Sequence, residues 1–210
     1  MIGIIDYGMG NLHSVSKALE RLNYPYFISE NAEELSEASG LILPGVGSFR
    51  DGMAELDESG LTEFVRQWAK DGKPLLGICL GMQLLFDESE ENGNTKGLGL
   101  LRGRVEKLTG MSATSERYKV PHMGWNELHI SQPEHPFMQD LAGGHVYFVH
   151  SYAVKTEDPS DLVAYAEYYE RIPAVVAKNS VWGTQFHPEK SSQPGMTLLR
   201  NFARTAEGGE

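Results

Sequence analysis

The sequence of 210 residues contains a single cysteine, Cys79. One cysteine cannot form an internal disulfide, and the resulting expectation is a cytoplasmic protein. Uncharged apolar runs of 18 or more residues are missing too, so we predict that the chain does not cross a membrane. The first residues, MIGIIDYGMGN, have neither the basic segment nor the apolar segment of a secretory signal, and we predict none.

Positive charge is also scarce. The 18 lysines and arginines are outnumbered by 29 aspartates and glutamates, and the net charge of −11 opposes non-specific binding to nucleic acid. Neither a C-x2-C pair nor an H-x3-H spacing occurs, so we expect no metal and no organic cofactor. No repeat or low-complexity linker interrupts the chain, and we predict one domain over residues 1–210.

What the sequence does contain is an alternation of short apolar runs and helical patterns. We predict strands at 2–6, 26–29, 40–43, 75–78, 146–150, 162–167, 174–178 and 181–186, and helices at 12–22, 61–70, about 80–87 and about 196–204. Asn11 is the predicted N-cap of the first helix, residues 205–210 a predicted frayed tail, and segments 115–119 and 132–139 predicted loops. The prediction is a three-layer α/β domain whose central sheet is mixed, mostly parallel and flanked by helices, and antiparallel toward its C-terminal half.

The strongest local signal is the pentapeptide 77–81, Gly-Ile-Cys-Leu-Gly. It follows an apolar strand and opens a helix, as in elbows where a nucleophile occupies a sharp turn between two small residues. A thiolate there would lie near the positive end of a helix dipole. The pattern indicates a nucleophilic Cys79, with a buried structural cysteine between two packing glycines as the alternative.

His187 and Glu189 offer the base and the orienting acid that a thiol nucleophile needs. Pro188 between them favours an extended His187, and in extended chain residues i and i+2 share a face. A carboxylate beside an imidazole fixes its tautomer and stabilises its protonated form. We therefore predict a Cys–His–Glu triad, and we expect each of the other six histidines to be structural or solvated.

Segment 43–47, Leu-Pro-Gly-Val-Gly, leaves a predicted strand. Two glycines around one apolar residue let backbone N–H groups point into a site or flip there, as an oxyanion stabiliser requires. An ordinary glycine-rich loop between strand and helix is the alternative. The segment is not a phosphate-binding loop, because the lysine and the Ser/Thr of that motif are missing.

Three of these segments, 43–47 (LPGVG), 77–83 (GICLGMQ) and 186–189 (FHPE), resemble the motifs of class I, triad-type glutamine amidotransferases in order and spacing. Further segments at 6–11 (DYGMGN), 120–125 (VPHMGW) and 147–152 (YFVHSY) resemble the branch of that family that serves histidine biosynthesis. The resemblance covers residues 1–202. It implies a flavodoxin-like fold and an enzyme that hydrolyses L-glutamine.

The resemblance also implies roles for individual residues. Cys79 would be the nucleophile, His187 the general base and acid, and Glu189 the carboxylate that orients His187. Two backbone N–H groups, those of Val46 and Leu80, would stabilise the oxyanion. Five residues match positions that hold the substrate glutamine: Gly47, Gln83, Glu91, Ser151 and Tyr152. For Glu91 the alternative is a solvated member of the acidic run 88–91.

The implied partner is a (β/α)8-barrel cyclase subunit of the HisF type, bound as a heterodimer and using the ammonia to form imidazole glycerol phosphate. Four residues are predicted to face it: Asn11, Trp125, Tyr147 and Lys190. For Trp125 the alternative is core packing. Segments 120–125 and 44–47 argue against a glutaminase subunit that feeds another synthase, such as the pyridoxal phosphate type. A non-catalytic regulatory protein on the same fold is the alternative from another class, although such a protein has no reason to keep all three triad residues.

Overall fold

Strands alternate with helices in the first part of the chain and follow one another in the second. The strands in chain order are β1 (Ile2–Ile5), β2 (Tyr26–Ser29), β3 (Gly40–Leu43), β4 (Leu75–Ile78), β5 (Phe86–Ser89), β6 (Thr95–Lys96), β7 (Leu101–Lys107), β8 (His122–Glu127), β9 (His129–Ile130), β10 (His145–His150), β11 (Tyr152–Thr156), β12 (Leu162–Tyr168), β13 (Glu170–Lys178) and β14 (Val181–Thr184). The helices of the computed structural model, which describes residues 1–208, are α1 (Leu12–Arg21), α2 (Ala32–Ser36), α3 (Phe49–Glu58), α4 (Leu61–Lys70), α5 (Leu80–Leu84) and α6 (Ser192–Ala206).

The central sheet has the strand order β2-β1-β3-β4-β14-β13-β12-β9. The strands from β2 to β14 in this order run parallel, and β13, β12 and β9 continue the sheet antiparallel. The predicted mixed sheet with an antiparallel C-terminal half is therefore confirmed. β4 and β14 lie side by side with Gly77 opposite Gly183, so the segments that leave these two strands meet at one edge of the sheet.

Helices cover both faces of the sheet, as predicted. Successive side chains of a strand point to opposite faces. In β3, Ile42 joins the apolar cluster formed with α1 and α6, whereas Leu41 and Leu43 join the cluster formed with α3 and α4. The result is a single α/β domain of three layers. Between residues 1 and 208, each helix is too short or too polar to span a membrane.

The predicted helix at 80–87 is wrong in its second half, because α5 ends at Leu84 and β5 begins at Phe86. β5 pairs in parallel with β7, and the Asp87 side chain accepts a hydrogen bond from the Gly103 N–H at 2.9 Å. Apolar residues at 84–86 fit a helix or a strand, so pairing with a distant segment decided the outcome. β5 belongs to a second sheet, β11-β7-β5-β6, that the sequence analysis did not predict.

The C-terminal helix is longer than predicted. α6 includes Thr205 and Ala206, which we expected to be frayed, because Ala206 lies buried in the core cluster. Residues 209 and 210 of the predicted tail lie outside the described residues. The predicted loop at 132–139 contains a 3-10 turn, Pro136–Met138, and Asn201 of α6 donates a hydrogen bond to the Phe137 carbonyl at 3.0 Å. That segment is thus a packed part of the core.

Candidate active site

Cys79 occupies a sharp turn between β4 and α5. Its φ of 55° and ψ of −110° place a non-glycine residue in a strained backbone region. The turn depends on both flanking glycines: a Cβ on Gly81 would lie 1.8 Å from the Leu43 carbonyl oxygen, and one on Gly77 would lie 2.6 Å from the Gly81 carbonyl oxygen. The Cys79 N–H donates to the Thr184 carbonyl at 2.7 Å, so β14 holds the turn in place. The elbow that the sequence predicts is present.

His187 and Glu189 lie just beyond β14, at the same edge of the sheet. Pro188 begins a 3-10 turn, and the His187 Nδ1 atom lies 2.8 Å from Glu189 Oε1. Both side chains are almost completely buried, with exposures of 4% and 1%. With Nδ1 bound to the carboxylate, Nε2 is the ring nitrogen left for Cys79. The structure therefore brings together the three residues of the predicted triad.

The electrostatics of this group favour a protonated His187. Burial lowers the pKa of His187, whereas its hydrogen bonds to Cys79 and Glu189 and their negative charges raise it, and the net effect is to raise it to about 10. A protonated imidazole placed between a carboxylate and a cysteine can act as a general acid at the elbow. Glu189 Oε2 is buried without a hydrogen-bond partner among residues 1–208, so the charge of this carboxylate is matched mainly by His187.

Segment 43–47 approaches the elbow with one carbonyl pointing at it. The Gly45 carbonyl oxygen accepts a hydrogen bond from the Leu80 N–H at 3.3 Å. The Gly45 carbonyl and the Val46 N–H belong to one planar trans peptide and point in opposite directions. Of the two predicted oxyanion donors, Leu80 is therefore occupied and Val46 points away. In this orientation neither N–H is available to an oxyanion at Cys79.

A cleft of about 360 Å³ opens over the elbow. Nine of the predicted site residues line it: Val46, Gly47, Cys79, Leu80, Gln83, Glu91, Ser151, Tyr152 and His187. Glu189 lies behind His187 and does not reach the surface of the cleft. Pro121, Val149 and His150 also line it, and the sequence analysis gave them no role. The volume suits a small polar molecule of amino-acid size.

Glu91 is held by a backbone hydrogen bond, an arrangement that favours its predicted role over that of a solvated member of the acidic run. It is half-buried, and its Oε2 accepts a hydrogen bond from the N–H of Phe49, the first residue of α3, at 2.7 Å. Burial raises the pKa of Glu91, the Phe49 N–H lowers it and the charge of Asp51 raises it, with a net increase. A fixed carboxylate at one end of the cleft is suited to a cationic group of a ligand.

Two buried histidines support the opposite wall of the cleft. The His150 Nδ1 atom lies 2.8 Å from the Tyr152 carbonyl oxygen, which can only accept, so Nδ1 carries the proton. His122 Nδ1 lies 2.8 Å from His150 Nε2. Burial is the main reason that the pKa of His150 is lowered to about 3. The hydrogen bonds of these histidines hold the Tyr152 carbonyl in place, which favours a structural role, and His150 also lines the cleft.

The four residues predicted to face a partner differ in exposure. Trp125 is 48% exposed on the two-stranded ribbon of β8 and β10, and its ring lies 5.9 Å from that of Tyr147, so the core-packing alternative for Trp125 is wrong. Lys190 is exposed directly after Glu189. Asn11 is half-buried, and its side chain accepts from the Ser14 N–H at 3.2 Å as the N-cap of α1. Within residues 1–208, histidine, cysteine and acidic side chains form no group of three suited to a metal ion.

Comparison with known proteins gives consistent results. The family model for class-I glutamine amidotransferases matches residues 3–206. Imidazole glycerol phosphate synthase subunit HisH from Halalkalibacterium halodurans is 62% identical over 209 residues, covering 100% of this chain and 98% of that protein. The protein of the same name from Bacillus subtilis is 53% identical and covers 98% of this chain and 97% of its own length.

Solved structures add evidence for the fold. A crystal structure of a glutamine amidotransferase has a TM-score of 0.76 at 22% identity, over 98% of each chain. A chain of PurLQS from Thermotoga maritima has a TM-score of 0.73 at 20% identity, over 97% of each chain. At these identities the similarity supports the shared architecture alone.

Proposed function

The chain belongs to the class-I glutamine amidotransferases, and from that premise we propose that Cys79, His187 and Glu189 carry out the hydrolysis of glutamine. The protein is a glutamine-hydrolysing enzyme and a subunit of imidazole glycerol phosphate synthase in histidine biosynthesis, the function named for relatives 62% identical over the whole chain. The observation that supports the residue assignment is the alignment of a buried carboxylate, an imidazole and a thiol at one elbow.

The reaction proceeds through a thioester. The Cys79 thiolate attacks the side-chain amide carbon of glutamine, and the carbonyl oxygen becomes an oxyanion. His187 gives its proton to the leaving nitrogen, which departs as ammonia while the thioester forms. A water molecule, deprotonated by His187, then attacks the thioester and releases glutamate. Glu189 keeps His187 oriented and stabilises its protonated form throughout.

The cleft holds glutamine with its α-ammonium group at one end and its side-chain amide at Cys79. Glu91 binds the α-ammonium group, because its carboxylate is fixed by α3 and faces the cleft. Gly47, Ser151 and Tyr152 line the path from there to Cys79. The Gln83 amide nitrogen already donates to the Tyr152 carbonyl at 3.0 Å, so its carbonyl oxygen is the atom that serves the substrate.

The site is switched on by a peptide flip. In the resting orientation the Gly45 carbonyl occupies the Leu80 N–H, and the substrate oxyanion would find no free donor there. Rotation of the Gly45–Val46 peptide removes that carbonyl and brings the Val46 N–H toward Cys79. Glycines on both sides of Val46 lower the barrier to this rotation, and Gly47 already has a φ of +105°.

The partner subunit is a (β/α)8-barrel cyclase of the HisF type that forms a heterodimer with this chain in the cytoplasm. The exposed Trp125, the partly buried Tyr147 and the exposed Lys190 form the contact surface. They lie beside the triad, because the His187 N–H donates to the Tyr147 carbonyl at 3.2 Å, Trp125 packs near Tyr147 and Lys190 follows Glu189. Ammonia passes to the cyclase from the cleft beneath that surface. Contact there also supplies a route by which the cyclase favours the flipped peptide.

Replacing Cys79 by serine tests the assignment. Cys79→Ser is expected to lower glutamine hydrolysis by the assembled synthase by at least 10³-fold, because a hydroxyl is far less ionised than a thiol. Glutamate formation is measured with cyclase present, and circular dichroism checks that the variant is folded. Full activity in a folded Cys79→Ser variant would show that another group is the nucleophile.

A further inference from the structure

Gln185 lies at the active site without a role so far. It directly follows β14 and stands two residues before His187, and it is completely buried. Its backbone N–H donates to the Ala174 carbonyl at 2.9 Å, so β13 fixes the position of its Cα. A fully buried glutamine at such a place needs partners for both ends of its amide group.

The hydrogen bonds around Gln185 determine which end of the amide faces which neighbour. The Tyr152 carbonyl can only accept, so the nearest atom of Gln83, 3.0 Å away, is its amide nitrogen. The same nitrogen lies 3.0 Å from the side-chain oxygen of Gln185. The other end of Gln185, its nitrogen, is therefore the end that faces Cys79, and it lies 3.9 Å from Sγ. The Tyr152 carbonyl thus determines the orientation of both side-chain amides, so that the amide N–H of Gln185 points toward Cys79 Sγ.

We infer that Gln185 is a further active-site residue, whose amide N–H donates a hydrogen bond to Cys79 Sγ and stabilises the thiolate. This role rests on the proposed function of Cys79 as nucleophile. A thiolate accepts more strongly than a thiol, so a donor fixed at this position favours the ionised sulfur. The bond also holds Sγ in one position between Gln185 and His187.

The surroundings of the sulfur give Gln185 a contribution distinct from that of His187. Five titratable groups face Cys79 or its cleft: His187 across the elbow, Tyr7 behind it, and Glu91, His150 and Tyr152 in the cleft. His187 stabilises the thiolate only while it is protonated, whereas the amide of Gln185 donates at every pH. Loss of Gln185 is therefore expected to raise the pH at which the sulfur becomes reactive.

Two substitutions test whether Gln185 acts as a hydrogen-bond donor to Sγ or only fills space. Gln185→Glu keeps an oxygen that can accept from Gln83 and replaces the donor to Sγ by a carboxylate. Gln185→Met removes both polar atoms and keeps the length of the side chain, and it serves if the glutamate variant does not fold. The rate of alkylation of Cys79 by iodoacetamide is measured against pH in the full chain.

We expect Gln185→Met to lower the alkylation rate at pH 7 by about tenfold and to move the midpoint of its pH profile upward by about one unit. We expect a larger loss for Gln185→Glu, because a carboxylate repels the thiolate. The matched controls are Gln132→Met and Gln132→Glu. The Gln132 amide nitrogen is also hydrogen-bonded, in its case to the backbone carbonyls of Ser160 and Leu162, and Gln132 does not line the cleft. Both controls should keep the wild-type profile.

An unchanged alkylation profile in a folded Gln185 variant would overturn the inference, even if glutamine hydrolysis fell, because the residue would then act only through the shape of the site. An equal shift in the Gln132 controls would overturn it as well. Alkylation does not require glutamine to be a substrate. Glutamate formation by the wild-type synthase is measured separately, so a failure of the proposed function is distinguishable from a failure of this inference.

Discussion

The orientation of the Gly45–Val46 peptide leads to the sharpest prediction. In the isolated chain the Leu80 N–H is bound to the Gly45 carbonyl and the Val46 N–H points away. Loss of even one of the two oxyanion donors lowers kcat by about 10²–10³-fold, or about 3–4 kcal/mol of transition-state stabilisation, and here neither donor is available. We therefore expect the isolated chain to hydrolyse glutamine at least 10²-fold more slowly than the synthase with ligand bound to its cyclase. The partner and its ligand need to favour the flipped peptide by a comparable free energy.

The assay is glutamate formation by the isolated chain, by the complex, and by the complex with cyclase ligand. Alkylation of Cys79 by iodoacetamide in the same three states is the control, because substitution at a saturated carbon forms no oxyanion. Hydrolysis should rise steeply across the series while alkylation changes little. Equal hydrolysis in all three states would refute the reasoning. A parallel rise in both reactions would refute it too, since activation would then act on the thiolate.

Three further predictions concern the acid, the histidine and the contact surface. Glu189→Gln is expected to lower kcat by roughly 10²–10⁴-fold with little change in KM, because an amide can still bind Nδ1 of His187 but no longer stabilises the imidazolium. A change confined to KM in steady-state kinetics would contradict this role of Glu189. Because the pKa of His187 is raised to about 10 from about 6.5 in the unfolded chain, its contribution to folding stability is complete below pH 6.5 and is lost as the pH rises to 10. In thermal denaturation the Tm of the wild type should fall over that range, and the Tm of Glu189→Gln should fall less. A parallel fall in both proteins would count against the ion pair. Trp125→Ala is expected to weaken cyclase binding by about 10–100-fold at unchanged Tm, measured by titration calorimetry. Ile28→Ala, which changes a comparably exposed apolar residue on β2, should bind normally, and equal affinities for the two variants would remove Trp125 from the contact surface.

The local pattern of apolar residues was enough to predict those strands whose formation does not depend on a distant segment. The apolar runs that became β3 and β4 were predicted with their correct bounds, because strands buried on both faces are continuously apolar. The bounds of β2, a partly exposed strand at the edge of the sheet, were also correct. The second half of the predicted helix at 80–87 was wrong, because residues 86–89 pair with β7 and no local pattern records that partner. The helix at 192–206 was predicted too short at both ends, from about 196 to about 204. Its C-terminal extension depends on the burial of Ala206, which is a tertiary contact.

The candidate site was predictable where the sequence spacing of residues determines their geometry. The glycines at 77 and 81 and the pair at 187 and 189 have fixed geometric consequences, and the structure places these segments at one edge of the sheet. The resting orientation of the Gly45 carbonyl was not predictable, because both peptide orientations suit the same two glycines. Gln185 was missed although it lies in the predicted strand 181–186 that leads to His187. Its role depends on the orientations of Gln83 and Tyr152, which are distant in sequence.

The central claim, that Cys79 is the nucleophile of a glutaminase, is tested most directly by affinity labelling. A glutamine-derived chloroketone places a reactive carbon where the amide carbon of the substrate lies. Peptide mass spectrometry of the treated synthase should locate one adduct per chain, on Cys79, with loss of glutaminase activity in step with labelling and protection by glutamine. Loss of activity with Cys79 unmodified, or labelling that glutamine does not slow, would contradict the account.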